Sequence, residues 1–91
     1  MKDEIYGTLK GIIEDIFRKS SRETAKEITR DMTLREDIGM DSIDLVVLQI
    51  EIEDYWKIRF DPMKDDFEKI FYSMRSLCEF LEQKIGERDG K

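Results

Sequence analysis

The sequence predicts an all-α protein, a small four-helix bundle of three main helices and one short helix, with a long loop between the first two. Three observations carry that prediction. Apolar residues recur at helical spacing in three separate stretches, no useful length alternates as a strand would, and acidic or hydroxyl residues stand where helices would start. The 91 residues suit one domain, expected to run over 1–91, with one compact core.

The elements follow in order. Ile5, Leu9, Ile12, Ile13 and Ile16 fall on one face of a helix over 3–19, and Arg18 and Lys19 suit the negative end of its dipole. Residues 20–40 are polar and aperiodic and read as the long loop, with a helical turn near 23–28. Ile28, Met32, Leu34 and Ile38 are spaced to pin that loop to a core. A second helix is expected over 41–56, with Asp41 as N-cap and Asp44 three residues on, an acidic form of the capping box. After Pro62, the only proline, a short helix is expected over 65–71. The last runs over 74–85 with Ser73 as N-cap, buries Met74, Leu77, Cys78, Leu81 and Ile85, and ends at Gly86, leaving 87–91 to fray.

The second helix is the informative one, because its apolar residues make two stripes. Leu45, Leu48, Ile52 and Trp56 form the first, and Ile43, Val46, Val47 and Ile50 lie on a different face. A peripheral helix of a small bundle needs one buried stripe. Either this helix is wrapped on nearly all sides, or the second stripe is left open for a partner. The charges favour the second reading, since Asp44, Glu51, Glu53 and Asp54 need solvent or partners.

Net charge is −6, and its distribution says more than its size. Residues 1–35 carry eight basic and seven acidic side chains, and residues 57–91 carry eight of each. Residues 36–56 carry seven acids and no base, so the whole negative excess lies in one stretch. Such a field repels nucleic acid and steers basic protein surfaces toward itself.

Composition excludes several classes. With 42% charged residues and only short apolar runs, such as 45–48, no membrane span is expected. The N-terminus lacks the apolar core of a secretory signal. One cysteine forms no intramolecular disulfide, which points to a reducing, cytoplasmic setting; on its apolar stripe Cys78 reads as a small core residue. The absence of histidine removes histidine-based triads and zinc motifs, and the five glycines form no phosphate-cradling loop, so an enzyme is not expected. An EF-hand frame from Asp37 puts Ser42 at its sixth position and Leu48 at its twelfth, where glycine and glutamate are needed, so no metal is assigned. Phe71, Tyr55 and Tyr72 are read as packing residues rather than as the lining of a pocket.

Residues 37–44, DIGMDSID, resemble the acyl carrier protein family, in which an aspartate, an aliphatic residue, a glycine and a variable residue precede Asp-Ser-Leu and commonly an acid. Asp37, Ile38, Gly39, Asp41, Ser42 and Asp44 match, and Ile43 replaces the usual leucine. Residues 45–56 stand where the family has its acidic second helix, 57–62 resemble its link to the short helix, and 71–77 sit where the last helix begins. The resemblance covers essentially the whole chain in order and spacing, and implies an acyl-carrier-like bundle.

It also implies that Ser42 accepts 4′-phosphopantetheine from coenzyme A through a phosphopantetheinyl transferase, and that acyl groups ride on the arm as thioesters for fatty-acid, polyketide or related biosynthesis. Asp41 would be read alongside the arm. Ile43, Asp44, Val46, Val47, Ile50, Glu53 and Asp54 would meet the transferase and the acyl-loading and acyl-processing enzymes through their basic docking surfaces. Leu45, Leu48, Ile52 and Trp56 would be core. The carrier is expected to be a monomer. Val47 stands where many members have glutamate, Met40 where a small residue is common and Trp56 where phenylalanine is common, while Lys57 and Arg59 add positive charge after the acidic helix. These departures point to a specialised carrier with its own partners. Two alternatives stay open: an aminoacyl or peptidyl carrier, and an unmodified acidic helical adaptor that only binds protein partners.

Overall fold

In a computed structural model of the chain, residues 2–23 and 27–89 are described. The elements run α1 (Lys2–Lys19), a π-helical turn (Leu34–Ile38), α2 (Ser42–Trp56), the short α3 (Phe67–Ile70) and α4 (Met74–Asp89). The three long helices are those the periodicity predicts. α1 packs on both α2 and α4, and α3 rests on α4. None of these helices is long and apolar enough to cross a membrane.

Burial follows the stripes. Ile5, Leu9, Ile13, Ile16 and Phe17 of α1 enter the core, whereas Ile12 is only half-buried. From α4, Met74, Leu77, Cys78, Leu81 and Ile85 are all buried. Leu48 and Ile52 of α2 are fully enclosed, and Leu45 and Trp56 pack at the core's margin. The link after α2 contributes Ile58 and Phe60, with the Phe60 ring stacked on Phe80 at 5.1 Å between centroids and meeting Phe67 edge-on at 5.6 Å.

The stretch between α1 and α2 departs from the expected plain loop. Ile28, Leu34 and Ile38 anchor it in the core as their spacing predicts, with Met32 half-buried. Its backbone is also tied to the start of α4: Leu34 N–H donates to Tyr72, Met74 N–H to Met32 and Arg75 N–H to Arg30. Between these anchors the chain closes one π-helical turn, with Ile38 N–H donating to the Thr33 carbonyl. Of the helical turn expected near 23–28, residues 24–26 lie outside the described residues, and 23, 27 and 28 are not helical.

The short helix, shorter at both ends than the expected 65–71, and α4 differ from expectation in their boundaries. The short helix starts at Phe67 because Asp66 is its cap, while the Asp65 carboxylate accepts from Asp61 N–H at 2.7 Å. α4 runs through Gly86 to Asp89 instead of ending at the glycine. A glycine ends a helix by turning left-handed, and among the described residues Gly39 is the glycine with positive φ. Ser73 caps α4 as expected: its Oγ accepts from Ser76 N–H at 3.1 Å, and Ser76 Oγ accepts from Ser73 N–H at 3.0 Å.

Candidate functional site

The start of α2 is built by two nested caps. Thr33 and Asp37 close the π-helical turn on each other: Asp37 N–H donates to Thr33 Oγ1 at 3.1 Å, and Thr33 N–H donates to the Asp37 carboxylate at 2.9 Å. Gly39 then takes φ 91° and turns the chain out of the π turn. Space is not the constraint, since nothing lies within 4 Å of a Cβ built there. The left-handed backbone is, and it disfavours any residue with a side chain. Met40 follows, 2% exposed and plugged into the core.

Asp41 caps α2. Its carboxylate accepts from Asp44 N–H at 2.9 Å and the Asp44 carboxylate accepts from Asp41 N–H at 3.0 Å, the reciprocal box read from the sequence. Asp44 departs from its expected position on the contact face. It is 6% exposed, and Arg22 from the loop donates to its other oxygen at 2.5 Å. That guanidinium, with help from the Asp41 bonds and against the cost of burial, holds the Asp44 carboxyl below the usual carboxylate range. Arg22 in turn lies over the Phe17 ring, its Cζ 4.5 Å from the centroid. This acid stabilises the helix start.

Ser42 is the first residue of α2 and is exposed, as is Asp41. Arg35 Nη2 donates to Ser42 Oγ at 2.8 Å. The hydroxyl therefore meets a donor, while the nearby carboxylates of Asp41 and Asp44 are engaged with each other's N–H groups. The chain has no histidine to act as a base beside Ser42.

The second apolar stripe of α2 is open. Ile43 is 74% exposed, Val46 55%, Ile50 56% and Val47 36%, which decides between the two readings of the stripes in favour of an accessible face. Asp54 is also exposed, while Glu53 is half-buried and accepts from Phe60 N–H at 3.0 Å. The structure thus brings Ser42, Ile43, Val46, Val47, Ile50 and Asp54 onto the solvent side of one helix, and turns Asp44 and in part Glu53 to internal duties.

Concavities flank this helix on both sides. A cleft of about 570 Å³ lies between α2 and α3, with Leu45, Val46, Phe67, Phe71 and Tyr72 among its lining and Arg35 at its edge. A groove of about 500 Å³ lies between α1 and α2, with Ile12, Ile43 and Val47 beside Asp15 and Glu51. Phe71 packs as expected, but it also lines the cleft, and Tyr72 and Tyr55 are 65% and 60% exposed. A ring hydroxyl stays wet at little cost, which is why tyrosines resist assignment by spacing. Cys78 is buried, and burial pushes its thiol above the ordinary value. Among the described residues, no three of Cys, Asp and Glu gather to hold a metal ion.

Sequence reasoning missed Arg22 and Arg35. Arg35 carried a weak signal, as the last base before the acidic stretch and one turn ahead of the glycine. Arg22 carried none, because 22 residues separate it from its partner.

Comparison with known proteins finds relatives over most of the chain. The family model described as "Phosphopantetheine attachment site" matches residues 8–81. An acyl carrier protein of Phytoplasma mali is 30% identical over 81 residues, covering 81% of this chain and 93% of that protein. An acyl carrier protein of Thermotoga maritima is 28% identical over 85 residues, covering 93% and 96%. One from Saccharopolyspora erythraea is 45% identical over 42 residues, just under half of each chain. A match that takes in all of α2 and α3, parts of α1 and α4 and the turn before α2, with relatives covered over nearly their full length, places the chain in the acyl carrier protein family, with its covalently attached 4′-phosphopantetheine.

Proposed function

We propose that Ser42 is the residue that bears the phosphopantetheine arm, and that the chain holds acyl groups on it as thioesters for fatty-acid, polyketide or related biosynthesis. The observation that carries this reading is the placement of Ser42: exposed, first in a 15-residue helix, and positioned by the Gly39 turn and the Asp41 cap. The residues fit the group. An anion joined to Ser42 faces the Arg35 guanidinium and the positive end of the α2 dipole. When bound, the arm supplies a terminal thiol to which acyl groups attach.

The chain's own part is presentation. Ser42 lacks a base, so the deprotonation needed for its modification falls to a phosphopantetheinyl transferase. Carriage without catalysis fits a chain whose hydroxyl meets only a donor. The open stripe of Ile43, Val46, Val47 and Ile50, rimmed by Glu51 and Asp54, is the surface on which the transferase and the acyl-processing enzymes dock through basic patches. Because Asp44 is neutralised by Arg22, docking here depends more on apolar contact than the count of acids suggests. The single buried cysteine suits a cytoplasmic carrier.

Intact mass after incubation with coenzyme A, magnesium and a broad-specificity transferase tests the reading. The wild type is expected to gain one phosphopantetheine and Ser42→Ala none, with unchanged circular dichroism. No gain on a folded wild type, beside a control carrier that is modified, would favour the unmodified adaptor.

A further inference from the structure

Arg35 is held in place and its head is left free to act. Its neighbours in the π-helical turn, Leu34 and Ile38, are buried, so the backbone at position 35 is fixed while the side chain itself is exposed. Other arginines around the loop are matched to carboxylates: Arg22 to Asp44, Arg30 to Asp3 and Arg75 to Asp31. Arg35 instead spends a 2.8 Å bond on the neutral hydroxyl of Ser42. One bond from a guanidinium to an exposed hydroxyl is a weak interaction, and leaves most of a planar, five-donor fork unused. That fork matches the paired oxygens of a phosphate.

We propose that Arg35 is a positioning residue for the arm: its guanidinium binds the non-bridging oxygens of the phosphodiester on Ser42 and fixes the root of the arm at the mouth of the α2–α3 cleft. The inference rests on the reading of Ser42 as the attachment point. Chemistry supports it, because esterification puts the phosphorus one bond beyond the oxygen that Arg35 already touches. Phosphate remains anionic at all ordinary pH values and replaces a neutral acceptor with a charged one. The surroundings support it as well. On the α1–α2 side the groove presents the carboxylates of Asp15 and Glu51, and its Lys19 is turned to Asp15 at 3.5 Å. The cleft side has carboxylates too, Glu36 and Glu68, but of its lining residues Arg35 is the one hydrogen-bonded to Ser42.

The test is phosphorus NMR on the loaded protein, with wild type, Arg35→Ala and Arg35→Lys each converted by coenzyme A and a transferase. Intact mass establishes that each carries one arm, and circular dichroism that each is folded. The wild-type resonance is expected to be displaced from that of the same phosphodiester in the loaded peptide 36–57 released by trypsin, which lacks Arg35, and to move toward it as salt rises, because an exposed pair is screened. Arg35→Ala should sit near the peptide's position with little response to salt, and Arg35→Lys should keep part of the displacement and its salt response. Equal resonances and equal salt responses in loaded wild type and Arg35→Ala would overturn the role of Arg35 and leave the attachment site standing. Loading that persists in Ser42→Ala would remove the attachment reading and this inference with it.

Discussion

α2 and α4 are helices of 15 and 16 residues in the same bundle, and they spend their apolar residues differently. α4 buries Met74, Leu77, Cys78, Leu81 and Ile85 along one side, and its other side is polar. α2 buries Leu48 and Ile52, and leaves Ile43, Val46, Val47 and Ile50 in water. Folding alone accounts for α4. It does not account for α2, because exposed apolar residues contribute little to the stability of the isolated chain. A helix that carries a second stripe at its surface, behind a capped and exposed serine, is arranged for contact with other molecules.

This contrast can be broken or sharpened by substitution. The largest effect is expected in the shared core, where Leu48→Ala or Leu77→Ala should cost about 2–5 kcal/mol in urea unfolding, as buried leucines do. Gly39→Ala comes next, at about 1–2 kcal/mol, because alanine must adopt the left-handed φ of 91°. It should also slow loading of Ser42, since the same turn aims the helix start; stability unchanged in the melt would show that the turn relaxes freely.

Asp44→Asn should cost about 1 kcal/mol through the weakened cap and should flatten the acid side of the stability profile. Arg22 lowers the native value of this carboxyl relative to the unfolded chain. Its contribution is therefore complete above the unfolded-state value, near pH 4, and is lost as pH falls through the lower native value. Unfolding midpoints measured across that range check it, and an unchanged slope would remove the ion pair from the account.

The smallest stability change, within about 0.5 kcal/mol, is expected for Ile50→Ala on the open stripe, together with a several-fold drop in kcat/KM for the transferase. Reversing Glu51 and Asp54 to lysine should slow the same step in a salt-sensitive way. Those two positions are cleaner than Glu53, whose carboxylate accepts from Phe60 N–H. Rates that do not respond would move the docking face off α2.

Much of this was legible in the residues, for local reasons. The stripes of α1, α2 and α4 repeat over several turns, and the Asp41–Asp44 box needs only three residues of spacing. The π-helical turn was not legible, because five residues with buried positions four apart carry no periodic signature of their own. The burial of Asp44 was not legible, because an acid on an acidic helix reads as surface until the loop delivers Arg22. The cleft was hidden for a related reason, as Leu45, Phe67 and Tyr72 come from separate elements and meet only in the fold.

The central claim, that α2 presents Ser42 as the point of attachment, is tested most directly by digesting the loaded protein with trypsin and mapping the added mass. Cleavage after Arg35 and Lys57 releases residues 36–57, a peptide in which Ser42 is the only serine or threonine. The account predicts that the phosphopantetheine mass travels with this peptide and with no other. Its appearance on a different peptide, such as the one holding Ser76, would contradict it.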